Sequence, residues 1–233
     1  MIKDKNILNI ANKQKVLLPV ILISNLMPLY GVIQYGWTIF TVVYIYWFEL
    51  LIVSFFQFLK ILLAEGNTKI SIFTKFFIAI RFLLLRIGIF IFYLIFIVVF
   101  LGILPNVNNK DNENLKQMSN AIFLQSDFFR FTILSFIFYN FLDFLFSFII
   151  NNQYKTALPN NFNIFLDIRI IVVHIVVILG TFLYEGITNF LHLNHKIAMI
   201  ACVSLFIVVK LIADIIRGWS NDEDTSREIG KYI

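Results

Sequence analysis

Two residues able to move protons stand in sequence that is otherwise hydrocarbon. Glu49 lies in "YIYWFELLIV", residues 43–52, and His174 lies in "RIIVVHIVVILG", residues 169–180. Arg86, Asp143, Arg169, Lys210 and Asp214 are similarly embedded in apolar stretches. Three kinds of chemistry fit such residues. A carboxylate and an imidazole near each other can carry protons or a cation, because histidine titrates close to neutrality. A carboxylate as general acid or base, with Arg86 or Arg169 gripping a phosphate, would suit an enzyme acting on a lipid-linked substrate. Carboxylates met by ammonium or guanidinium groups from other helices would instead lock those helices together.

The elements that must position these groups follow from composition. The chain has 233 residues, 60% hydrophobic and 14% charged, whereas soluble domains are about half apolar and a quarter charged. The apolar residues fall in blocks of about 20, the length that crosses about 30 Å of hydrocarbon. Six spans are expected, at residues 16–34, 38–63, 75–104, 129–151, 163–184 and 197–216. All are read as helices, since an open strand leaves its backbone polar groups unsatisfied in lipid. The predicted fold is an all-α polytopic bundle of six transmembrane helices forming one domain over residues 1–217. Residues 218–233 form a short charged tail, expected to be disordered.

"QYGW", residues 34–37, predicts a tight hairpin, and residues 105–128 the one long polar loop. The basic N-terminus and the first apolar block predict an uncleaved signal anchor, because no small-x-small site closes the block. Lys3, Lys5, Lys13, Lys15, Lys69, Lys75, Lys155, Arg217, Arg227 and Lys231 fall on one side of the six-span arrangement. The other side carries Lys110, Lys116, Arg130 and Lys196, with Asp111, Glu113 and Asp127 among them. This bias places both termini in the cytoplasm.

Depth then separates the polar residues. Glu49 and His174 lie near the middle of their spans. Arg81, Arg86, Asp143, Asp167, Arg169, Lys210 and Asp214 lie in the cytoplasmic halves of theirs. An ionisable group in lipid costs about 2.5–3.5 kcal/mol on insertion scales, so the cheaper arrangement turns these groups toward one another. In the fourth span Thr132, Ser135, Tyr139, Asn140, Asp143 and Ser147 share an arc of about 140°. Asp167 and His174 share a face, and Lys210 and Asp214, four apart, can pair within their helix. Glu49 and Lys60 share a face too, but about 16 Å of helix separates them. Near the helix ends, snorkelling to the headgroups competes with these pairings. Trp37, Tyr44, Tyr46 and Trp47 could form an aromatic site; Trp37 at the hairpin reads more simply as an interfacial anchor.

Much chemistry has no signature here. There is no GxSxG nucleophile elbow, no HExxH, no Walker A and no dinucleotide glycine motif. His192 and His195 are three apart and could share a metal, but only Glu185 is near them as a carboxylate. The single cysteine, Cys202, excludes a disulfide within the chain. The formal charge of +5 forms no basic patch, so nucleic acid is not an expected partner. No catalytic residue, cofactor or metal is assigned.

"NLMPLYGVIQYGW", "YWFELLIVSFFQFLKILL", "RIIVVHIVVILG" and "VVKLIAD" resemble an uncharacterised family of bacterial multi-pass membrane proteins, a domain-of-unknown-function family. The matching positions are Asn25, Pro28, Gly31, Trp37, Tyr46, Trp47, Glu49 and Lys60, then Arg169, His174, Gly180, Lys210 and Asp214. The family pattern has a histidine before a Tyr-Gly pair in the third span, where this chain has Arg86-Ile87-Gly88. The resemblance implies no activity. It implies that Glu49, Arg169, His174, Lys210 and Asp214 form one constellation.

These readings make the chain a bacterial inner-membrane protein whose polar core is Glu49, Arg86, Asp143, Arg169, His174, Lys210 and Asp214. The preferred function is a non-catalytic structural or accessory subunit. The expected partners are the bilayer, other membrane-protein subunits or further copies of the chain as a homo-oligomer. A proton- or cation-linked transporter using Glu49 and His174 is the alternative, and a lipid-modifying enzyme the third.

Overall fold

The computed structural model describes residues 2–66, 70–103, 112–163, 171–172 and 195–230. Its long elements are helices. They are α1 (Ile2–Tyr35), α2 (Ile39–Leu63), α3 (Ile72–Phe96), α4 (Asn112–Ile122), α5 (Asp127–Asp143), the single turn α6 (Gln153–Thr156) and α7 (His195–Gly230). α3 continues as a π-helical stretch Ile97–Ile103, and α5 as another, Phe144–Ile150.

Among the described residues, five stretches are long and apolar enough to cross a membrane: Leu17–Tyr35, Ile39–Leu63, Ile72–Val99, Asp127–Ile150 and Ile197–Asp214. They coincide with five of the expected spans. The expected span 163–184 falls outside the described residues except at 163 and 171–172. The protein is an all-α membrane bundle.

α2 is its central helix. Two thirds of its span (67%) is buried by protein, against 28% for the spans of α3 and α5. It packs against α1, α3, α5 and α7. Val42, Val43 and Ile45 on α2 join Phe90 on α3, Phe136 on α5 and Val203 on α7 in the main core. The outer faces are as apolar as the core. Phe131, Leu134 and Phe138 on α5 are exposed, as are Leu84, Ile91 and Phe92 on α3. In water such surface would aggregate; in a bilayer it meets acyl chains.

Local signals explain the helix boundaries. Thr38 caps α2 by accepting from the Thr41 N–H, Ser71 caps α3 from Phe73, and Ser126 caps α5 from Phe129. Short hydroxyl side chains satisfy the orphan amides of a first turn. The α1–α2 hairpin turns on Gly36, whose φ of +62° favours glycine.

Two expectations are corrected. Trp37, expected as an interfacial anchor, is buried by protein, and its amide donates to the Gly31 carbonyl at 3.2 Å. Its ring lies against Phe128 and Phe129, at centroid distances of 5.4 and 5.7 Å. The polar loop 105–128 contains α4, which lays Met118, Ala121 and Ile122 on the main core. Those three residues have helical spacing, so one side of a polar segment was apolar enough to dock.

Trp37 sits so close to α1 that a Cβ on Gly31 would lie 2.4 Å from its ring. Alanine ordinarily favours a helix over glycine by about 1 kcal/mol, but overpacking costs about 1–3 kcal/mol. Gly31→Ala is therefore expected to lower the midpoint of thermal unfolding in detergent. Adding Trp37→Leu should then cost less than the two single changes summed; strict additivity would show that the contact is not made.

Candidate functional site

Four of the polar residues of α2 occupy one face. Tyr46, Glu49, Gln57 and Lys60 fall within an arc of about 80° at 100° per residue, and all four are buried. Each of the last three reaches a different neighbouring helix.

Glu49 reaches α7. The Lys210 ammonium lies 3.0 Å from Glu49 Oε1 and 3.1 Å from Asp214 Oδ2, one turn further along its own helix. It also donates to Asn25 Oδ1 on α1. An ammonium has three N–H donors; here it hydrogen-bonds acceptors on α1 and α7 and pairs by charge with the Glu49 carboxylate on α2. The faces of Tyr46 and Phe136 each lie 5.5 Å from the same nitrogen, within the range of cation–π attraction. Asn25 is oriented by its amide nitrogen, which donates to Ile21 O at 2.9 Å and to Asp214 Oδ2 at 3.5 Å. Pro28 follows three residues on, inside α1, and brings no N–H to the Ser24 carbonyl one turn back.

Gln57 reaches α3. Its Oε1 accepts from Arg86 Nη2 at 3.0 Å, and the guanidinium lies 5.0 Å from the Phe82 ring. Arg86 is 1% exposed, so this arginine is enclosed by protein. Lys60 reaches α5: its ammonium lies 3.4 Å from Asp143 Oδ2, while Asp143 Oδ1 accepts from Ser147 Oγ at 2.7 Å. Asp143 marks the point where α5 passes into its π-helical stretch.

The structure thus brings Glu49, Lys210 and Asp214 together and places Arg86 and Asp143 beside other partners. Arg169 and His174, with Asp167, lie outside the described residues. Arg81, expected to face inward, is exposed on α3. It lies nine residues, about 13 Å, from the start of that helix, a depth from which a long side chain snorkels toward headgroups. The aromatic residues divide. Tyr44 stacks on Trp47 at 5.5 Å, and the Trp47 indole donates to Phe90 O at 3.0 Å, while Tyr46 turns to the ammonium. Two site members were missed, Asn25 and Gln57. Neither carries charge; their signal was shared position, Gln57 lying on the arc of Glu49 and Lys60, and Asn25 lying next to the Pro28 break. Among the described residues, no group of three or more His, Cys, Asp or Glu is placed to hold a metal.

Removing one member of a buried ion pair leaves the other uncompensated, at about 3–5 kcal/mol. Lys210→Met is expected to destabilise the bundle by that order, read from unfolding in mixed detergent. The triple replacement Lys210→Met, Glu49→Gln and Asp214→Asn should recover part of the loss. A triple variant less stable than Lys210→Met would show that the carboxylates have other stabilising roles.

The profile of a family of unknown function, DUF6498, matches residues 9–228. No curated protein and no solved structure matches the chain.

Proposed function

Taking as premise that this chain belongs to DUF6498, a family of unknown function, we propose that it is a non-catalytic structural or accessory subunit of a bacterial inner-membrane complex, with both termini in the cytoplasm. One observation carries this reading. The buried Lys210 ammonium donates to Asn25 on α1 and Asp214 on α7 and stands at ion-pair distance from Glu49 on α2, so one charge engages three helices. A charge so enclosed fixes the rotation and depth of α1, α2 and α7 relative to one another. Buried polar groups serve register in this way in helical assemblies. The Gln57–Arg86 and Lys60–Asp143 contacts repeat the device toward α3 and α5. The outer faces, rich in exposed Phe and Leu, then remain to meet lipid and neighbouring membrane proteins.

A second reading rests on a different feature. Glu49 is the eleventh residue of the 25-residue α2, and it shares one ammonium with a second carboxylate. Transport sites are commonly found near the midplane. In this reading Glu49 and His174 carry protons or a cation.

Purification of the tagged protein from native membranes, with mass spectrometry of what co-elutes, separates the two. For an accessory subunit, Glu49→Gln is expected to lower folded yield and release a stoichiometric partner. Full assembly of Glu49→Gln, with a pH-dependent vesicle flux lost in both Glu49→Gln and His174→Ala, would replace that reading with transport.

A further inference from the structure

The corner between α4 and α5 is built more rigidly than a connecting loop requires. Leu124 takes a φ of 54°, a left-handed conformation usually left to glycine. Its amide donates to Ala121 O at 3.2 Å, and the Gln125 amide donates to Asn120 O at 2.9 Å. These two bonds form a Schellman motif that ends α4. Ser126 caps α5 one residue later. Arg130 closes the corner, its Nε donating to the Leu124 carbonyl and its Nη1 lying 3.5 Å from Asp127. α4 is thereby held in a fixed direction relative to α5, with its apolar side on the main core.

This corner exposes aromatic surface. Phe123 is 69% exposed, and Tyr30 and Tyr35, from the end of α1, are 52% and 54% exposed. Tyr35 stacks on Phe128 at 4.8 Å, and Tyr30 lies 5.3 Å from the same ring. The surface does not end there. It continues down α5 through Phe131 and Leu134, 56% and 58% exposed, into the lipid-facing side of the span. In sequence, the segment 110–130 carries three basic residues, Lys110, Lys116 and Arg130, and three acidic ones, Asp111, Glu113 and Asp127. Arg130 is moreover engaged within the corner, with Asp127 as its counter-ion.

We propose that this corner is a membrane-surface anchor that seats Phe123, Tyr30 and Tyr35 in the headgroup–acyl boundary of the bilayer, by aromatic burial and not by attraction to anionic lipid. Three observations support it: the apolar surface is continuous with the lipid-facing face of α5, α4 lies between two spans, and the sequence from 110 to 130 carries as many acidic as basic residues. Tyrosine suits this zone because its ring is apolar and its hydroxyl stays wet. The rigid turn would then act as a depth stop for α5, setting where its first turn meets the surface.

The test is a nitroxide at Phe123→Cys in a Cys202→Ala background, with the full chain in nanodiscs. A second label at Tyr35→Cys covers the case in which the first variant fails to fold, and Leu134→Cys serves as the hydrocarbon reference. Collisions with oxygen are expected to exceed those with a water-soluble nickel chelate at positions 123 and 35, less strongly than at 134. The ratio should be the same in phosphatidylcholine alone and with added phosphatidylglycerol. Chelate collisions exceeding those of oxygen would overturn the proposal, placing the corner in water or against a soluble partner. A ratio that rises only with phosphatidylglycerol would also overturn it, replacing aromatic burial with anionic-lipid attraction.

Discussion

An ammonium group taken into a membrane interior must bring its solvation with it. For Lys210 that solvation is made of protein: Asn25 on α1, Glu49 on α2 and Asp214 on its own helix, with Tyr46 and Phe136 lying over the nitrogen. Much of the rest follows from this requirement. α2 must be central, because it carries the carboxylate that faces the ammonium. α1 must bring its Asn25 side to α7. Residues that pack beside the group must be large and apolar, to keep water from competing. Apolar packing alone would leave several rotations of these helices nearly equal in energy, since lipid tails are as apolar as leucine. The polar contacts remove that degeneracy.

The same reasoning explains the asymmetry of the bundle. α2 has polar groups at intervals along one face, each addressed to a different helix, whereas α3 and α5 turn most of their surface outward. α3 is fastened to α2 by the Arg86–Gln57 contact and by the Trp47 indole on the Phe90 carbonyl. Those bonds and the aromatic packing hold an edge helix that buries only 28% of its span. The fold is therefore organised from one helix outward. The corner at α4 closes one end of it.

What could be read without coordinates was whatever costs energy in lipid. Apolar blocks of membrane-crossing length announced the spans, and Glu49 stood out because a carboxylate in hydrocarbon demands a partner. The spacing of Lys210 and Asp214 showed that they could meet within one helix. Which cation Glu49 would meet was not legible. Lys60 shares its face and is excluded by distance along the axis, but nothing periodic in the chain points from α2 to α7. Asn25 and Gln57 were not assigned to the polar core because an amide is cheap enough in lipid to demand no partner. α4 was hidden by composition: Asn, Lys, Gln and Ser dominate it, and only the spacing of Met118, Ala121 and Ile122 betrays a docked face. Trp37 carried the ordinary signature of an interfacial anchor, and it takes its contacts with Gly31, Phe128 and Phe129 to show that it is a packing residue.

The lock around Lys210 has a consequence for biogenesis. Asn25 and Lys210 are 185 residues apart in the chain. At about 5–20 residues per second, roughly 10–40 seconds pass between their synthesis. For most of that time, once α2 has been made, Glu49 is present and its ammonium is not yet made. A chain that has not reached Lys210 thus differs chemically from one that has, in lacking the cation that faces Glu49. A chain truncated before Lys210 would therefore hold Glu49 without the cation that faces it in the folded bundle.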